Sequence, residues 1–173
     1  MGDRELLNAL KGSIKFGDFT LSSGVKSSYY IDKYLFETDP NCLEAIGKEI
    51  SDLIPPGTQK LAAIELGSIS LVAVASIKSK LPYVIVRKEK KSYATKKAIE
   101  GELYPGEKVL VVEDVTTTGS GAVRAVQTLR DHGAIVYSVL VVVDREEGAR
   151  ENLHSMGVSL ISIAKSSELL DHR

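Results

Sequence analysis

Four consecutive aliphatic residues, Val109, Leu110, Val111 and Val112, run straight into Glu113 and Asp114, and no other stretch constrains the chain as much. An unbroken aliphatic run reads as a strand buried on both faces, inside a sheet covered on both sides. Two carboxylates at the end of such a strand need polar partners. After Val115 come Thr116, Thr117, Thr118, Gly119, Ser120 and Gly121, and then Val123, Val126 and Leu129 recur at helical spacing. A strand, a turn of hydroxyl and glycine residues and a helix start together make an anion cradle. It offers unpaired backbone amides, hydroxyl donors and the positive end of a helix dipole. Phosphate suits the cradle, and the adjacent acids suit a polyol or a metal ion, so the combination points to a sugar phosphate. The plain alternative is a strand-turn-helix junction with solvated acids.

The rest of the chain is compatible with one globular unit over residues 1–173. It is 43% hydrophobic and 26% charged, with net charge -1. A domain of this size buries roughly 70% of the surface its unfolded chain exposes. The charge balance gives no global reason to expect nucleic acid. It is uneven, however: residues 87–97 carry six basic side chains and one acid, net +5, which leaves net -6 on the remainder. A basic segment in a mildly acidic chain fits a local anionic ligand. Cys42 is the only cysteine, so no intrachain disulfide can form and a reducing, cytoplasmic setting is expected. Charges interrupt the first twenty residues and no apolar run approaches spanning length, so no membrane association is expected.

Taken in order, residues 3–11 read as a short helix with Leu6, Leu7 and Leu10 on its apolar side. From 14 to 35, glycines punctuate aromatic and β-branched runs, the pattern of antiparallel strands and turns. Asp39 and Pro40 cap a packing helix that Pro55-Pro56-Gly57 stops. Strands are expected near 61, 83, 109, 135 and 158, most of them separated by helices, with a polar tail at the end. The expected fold is α/β: a mainly parallel central sheet flanked by helices, with an N-terminal antiparallel hood mainly over 1–38 and a core over 39–173. Glu113, Asp114, Thr117 and Arg145 are placed just past strand C-termini, where open α/β sheets bind ligands.

The stretch at 109–121 resembles the phosphoribosyl-pyrophosphate (PRPP) signature of type I phosphoribosyltransferases, departing from it at Thr116 and Gly121. Three further segments narrow the resemblance to the orotate phosphoribosyltransferase family: FGDFTLSSGVKSSYYIDK in the hood, RKEKKSYATKKAIEG in the basic loop and DREEG at 144–148. Ser22, Glu65, Ser68, Tyr93 and Ala94 depart from the family pattern. The resemblance implies transfer of a phosphoribosyl group from PRPP to orotate, giving orotidine 5'-monophosphate and pyrophosphate in UMP biosynthesis. Magnesium is implied as cofactor, held through PRPP and water rather than by side chains.

The resemblance also implies roles. Lys91, Asp114 and Glu113 are the catalytic candidates. PRPP falls to Arg87, Lys88, Lys91, Tyr93 and the run from Glu113 and Asp114 through Val115, Thr116, Thr117, Thr118, Gly119, Ser120 and Gly121. Orotate falls to Thr117, Arg145, Tyr30 and Lys26, and a homodimer is implied in which each catalytic loop serves its partner. Plain readings stand beside these: Tyr30 covering the hood's own core, Arg145 paired with Glu146 or Glu147, and a merely solvated lysine loop. A purine phosphoribosyltransferase would share the 113–121 site without needing Arg145 as a carboxylate partner. A PRPP-sensing regulator of the same fold would want a DNA-reading module, and the sequence shows neither a helix-turn-helix extension nor a broad basic face.

Overall fold

The computed structural model describes residues 2–20, 24, 26–88 and 97–171. The elements are, in order, α1 (Asp3–Gly12), β1 (Ile14–Thr20), β2 (Lys26–Ile31), α2 (Tyr34–Glu37), α3 (Pro40–Asp52), β3 (Lys60–Ile64), α4 (Ser68–Ser79) and β4 (Tyr83–Val86). They continue with β5 (Ile99–Glu100), β6 (Lys108–Thr116), α5 (Ser120–Asp131), β7 (Ile135–Asp144), α6 (Ala149–His154), β8 (Ser159–Lys165) and α7 (Ser166–Leu170). β1 and β2 pair antiparallel as a separate hood. The other six strands form one sheet in the order β5-β4-β3-β6-β7-β8, parallel except for β5 at the edge.

Side-chain alternation on β6 divides the interior in two. Leu110 and Val112 face a cluster built with α1, α3, α4 and α7, while Val109 and Val111 face one built with α5 and α6. Each layer follows from local sequence. Asp39 accepts the Cys42 amide at 2.9 Å and Pro40 occupies the first turn of α3, which presents fully buried Ile46 and Ile50. Gly47 lets α3 approach α4, because a Cβ there would overlap Val74. Truncating a core leucine such as Leu110 to alanine costs about 2–5 kcal/mol.

The structure departs from the sequence reading in four places. The two acids lie inside β6 and not past its end, because pairing with β7 continues to Thr116 opposite Asp144. Residues 34–37 make a helical turn that buries Phe36 and Glu37. The expected polar tail is α7, which buries Leu169 in the core. Ile99 and Glu100 add an edge strand to β4. Leu6 and Leu10 of α1 join the main core.

Sheet order then sets the site. From β3 the chain moves outward to β4, then returns to the other side of β3 to lay down β6 and moves on to β7. The loops after β3 and β6 therefore diverge across a crevice at the strands' C-terminal ends, the position where open α/β sheets take ligands.

Candidate active site

A cavity of about 240 Å³ fills that crevice, between the β3–α4 junction and the β6–α5 loop, with Lys33, Lys88 and Arg124 at its margins. Glu113 and Asp114 reach it from opposite faces of β6, as neighbouring residues of a strand must. Asp114 is 8% exposed and lies on the side of α4. Its Oδ2 forms an ion pair with Lys33 Nζ, and its Oδ1 accepts its neighbour's amide, that of Val115, at 2.5 Å. Glu113 leans the other way, over Gly121, where an added Cβ would come 2.6 Å from Oε1. Its Oε2 is buried with no hydrogen-bond partner. Burial, reinforced by the charge of Asp114, pushes the Glu113 carboxyl up to about 7 against the opposing Thr116 hydroxyl, Lys33 and Arg124.

The loop after β6 keeps its own side chains out of the way. Gly119 takes a left-handed conformation (φ 76°), and a Cβ there would sit 3.1 Å from the Ala149 Cα. Asn152 donates to the Thr118 carbonyl at 2.8 Å and so ties the loop to α6. Thr116 is buried and its carbonyl accepts the Arg145 amide at 3.0 Å. Thr117 is half-buried, Ser120 is exposed, and the first-turn amides of α5 have no partner within the helix. Thr117, Gly119, Ser120 and Gly121 all line the cavity.

The junction after β3 is filled instead. The Glu65–Leu66 peptide bond is cis. Ser68 Oγ turns back to accept the Ile64 amide at 2.7 Å. Glu65 is held by Arg87 at 3.5 Å and by the Lys88 amide at 3.2 Å, which directs its charge toward the basic segment. Arg87 is shared with Glu100 at 3.3 Å. Lys91, Tyr93 and Ser22 lie outside the described residues.

Arg145 is 5% exposed. It donates to Glu147 at 2.8 Å and to Ser27 Oγ at 3.0 Å, and lies 4.2 Å from the Tyr29 ring centroid. Glu146 turns away to Ser166 and Ser167. The pairing of β6 with β7 sets Thr117 and Arg145 beside each other. Strand alternation brings Ser27 and Tyr29 to Arg145 but puts Lys26 and Tyr30 on the outward face. There Tyr30, 38% exposed, stacks 5.6 Å from Phe19. Tyr30 and Lys26 are thus not gathered at Arg145 in this structure, and Tyr29 stands there instead.

Sequence reasoning missed Lys33, Glu37 and Arg124. Arg124 was visible, one helical turn beyond Ser120 on the same face. The partners Lys33 and Asp114 are 81 residues apart, and no local pattern joins them.

Residues 41–168 match the phosphoribosyl transferase domain family. The chain is 58% identical over 173 residues to the orotate phosphoribosyltransferase of Methanocella arvoryzae, covering 99% of both chains. The chain belongs to the orotate phosphoribosyltransferase family. Among solved members, that of Aeropyrum pernix superposes with a TM-score of 0.84 at 32% identity, over 99% of this chain and 97% of the other. The Mycobacterium tuberculosis orotate phosphoribosyltransferase in complex with PRPP superposes with a TM-score of 0.76 at 29% identity, over 97% and 99%.

Proposed function

We infer that the chain transfers the 5-phosphoribosyl group of PRPP to orotate, giving orotidine 5'-monophosphate and pyrophosphate in the route to UMP. The observation that carries this reading is the cavity at the crevice, where two acids from opposite faces of β6 stand beside the hydroxyl- and glycine-rich loop that opens α5. The loop from Thr117 to Gly121 takes the 5'-phosphate, while Glu113 and Asp114 accept from the ribose hydroxyls. As the bond from the anomeric carbon to pyrophosphate breaks, positive character develops on the ribose and negative charge on the leaving group. Orotate's ring nitrogen forms the new bond as an anion, so no general base is required.

Arg145 suits the orotate carboxylate, since a planar fork of donors matches it. To bind orotate it must share or exchange Glu147 and Ser27. Lys91, with Lys88 and Arg87, neutralises the leaving pyrophosphate, an effect that grows as water is excluded. Among the described residues no group of His, Cys, Asp or Glu can hold a metal by itself. Magnesium would be carried by PRPP and water, with the partnerless Glu113 Oε2 placed to accept from a hydroxyl or a metal-bound water. Bound in this way, the ion would supply charge screening for the pyrophosphate. No described helix is long and apolar enough to cross a membrane, and a lone buried Cys42 suits a reducing cytoplasm.

Orotate consumption with PRPP and magnesium, compared with adenine, hypoxanthine and xanthine, tests the reading; turnover of a purine and not orotate would overturn it. Arg145→Ala is expected to weaken orotate binding by about 2–5 kcal/mol and leave PRPP affinity nearly intact. We also place Lys91 in the partner's site within a homodimer. Co-refolding Lys91→Ala with Asp114→Asn should then restore roughly a quarter of the sites, because about half the dimers are mixed and each mixed dimer has one intact site. No gain over either variant refolded alone, with mixed dimers confirmed by native mass, rules the shared site out.

A further inference from the structure

Lys33 closes the hood segment FGDFTLSSGVKSSYYIDK with no role assigned to it by the sequence, yet its ammonium holds a central position. It starts α2 at the foot of the hood, its side chain is 27% exposed, and it reaches the cavity on Asp114. It also overlies the β3–α4 junction, since a Cβ on Gly67 would fall 2.5 Å from Nζ. That junction, Glu65-Leu66-Gly67-Ser68, contributes an acid and no cation. Arg87, the nearest guanidinium in sequence after β4, is engaged by Glu65 and Glu100. An anionic group laid along the junction would therefore meet the Lys33 ammonium.

Asp114 cannot keep the same contacts in both states. If ribose hydroxyls bond to its carboxylate, they compete with Lys33 for Oδ2, and the displaced ammonium needs a new acceptor. We propose that Lys33 is a PRPP-binding residue: its ammonium rests on Asp114 in the free chain and passes to the diphosphate group when the ribose hydroxyls engage Asp114. This rests on the phosphoribosyl-transfer reading above.

Glu37 makes the exchange tolerable. It is 6% exposed, it lies against Asp114 and Lys33, and its Oε1 has no hydrogen-bond partner. Burial, then the charge of Asp114, pushes its carboxyl up to about 8. At neutral pH Glu37 is thus a neutral donor toward Asp114, and departure of Lys33 does not leave two buried negative charges facing each other. Lys33 itself stays charged. Burial opposes its charge, but Asp114 outweighs this and holds its pKa above the ordinary lysine value.

The test is titration calorimetry of the full chain with PRPP, inorganic diphosphate and ribose 5-phosphate, on wild type, Lys33→Gln and Lys33→Arg. Lys33→Gln is expected to lose about 10- to 100-fold in affinity for PRPP, the range of one charge-assisted hydrogen bond, with a smaller loss for diphosphate, which brings no hydroxyls to Asp114, and ribose 5-phosphate undiminished. Lys33→Arg should recover most of the loss. Equal PRPP affinity in wild type and Lys33→Gln overturns the proposal, as does a loss confined to ribose 5-phosphate, which would make Lys33 only the counterion of Asp114. A wild type that binds neither PRPP nor diphosphate sinks the functional reading itself. Reductive methylation of the wild type, read by mass spectrometry, needs no variant: PRPP should protect Lys33, and lack of protection overturns the exchange.

Discussion

The junction after β3 is closed by its own side chains, whereas the junction after β6 leaves a buried carboxylate oxygen of Glu113 unmet. Both follow a buried parallel strand and open a twelve-residue helix. After β3, Ser68 bonds back to the strand, Glu65 is taken up by Arg87 and the Lys88 amide, and Gly67 lies directly under Asp114 and Lys33. After β6, Glu113 keeps a buried oxygen without a partner, and Gly119 and Gly121 keep Cβ atoms out of the loop. The difference separates two tasks that look alike in sequence: one junction holds the machinery in position, and the other waits for a ligand.

Substituting Gly67 should break this contrast most severely. The new methyl in Gly67→Ala overlaps the Asp114 carboxylate and the Lys33 ammonium, the far ends of two side chains, so the backbone is kept while the acid is expelled from its position. We expect PRPP-dependent turnover to fall about 10²- to 10³-fold, as for loss of a preorganised polar group, with a nearly unchanged melting temperature. Turnover within a few-fold of wild type would remove Asp114 from the reaction.

Next in size is a pH effect on Glu113. Its carboxyl is raised from 4.5 to about 7 in the folded chain, so the neutral form is favoured there. The stability it lends is complete below about pH 4.5 and is lost as pH rises through about 7. Glu113→Gln should therefore match wild type near pH 4 and exceed it at pH 8 by up to about 3 kcal/mol. Chemical denaturation at both pH values checks this, and a stability difference independent of pH contradicts it.

Gly119→Ala sharpens the comparison at about 1–2 kcal/mol of stability, the cost of a side chain in a left-handed conformation with a neighbouring backbone at 3.1 Å. Gly121→Ala is the mildest. It displaces only the Glu113 carboxylate, 2.6 Å from the new methyl, and should raise the KM for PRPP a few-fold with the melting temperature held. A larger effect at 121 than at 67 would invert the assignment of the two junctions.

The β6 strand, its acids and its loop were legible because local chemistry carries them: an aliphatic run, then charge, then hydroxyls and glycines. Helix α3 was legible through Asp39-Pro40 and its periodic leucine and isoleucines. What stayed hidden depends on contacts between distant residues or on very short elements. Helix α7 is five residues long and needs the core cluster to reveal that Leu169 is buried. Tyr30 and Tyr29 are adjacent aromatics, and only the register of β2 against β1 decides which of them turns toward Arg145. Glu37 carries no signal at all, because its burial is created by the fold around a single helical turn.

The alternation of β6 has one further consequence. Glu113 is held with the α5 layer and Asp114 with the α3, α4 and hood layer, so the two acids belong to separately packed halves of the interior. Regions of a protein open and close in cooperative units, and those units follow packing. An excursion that loosens α2 and its contacts unseats Lys33 and Glu37 from Asp114 while Glu113 keeps its surroundings. Binding a ribose across both acids bridges the halves, and its signature in amide hydrogen exchange would be a common slowing on the two faces of the sheet.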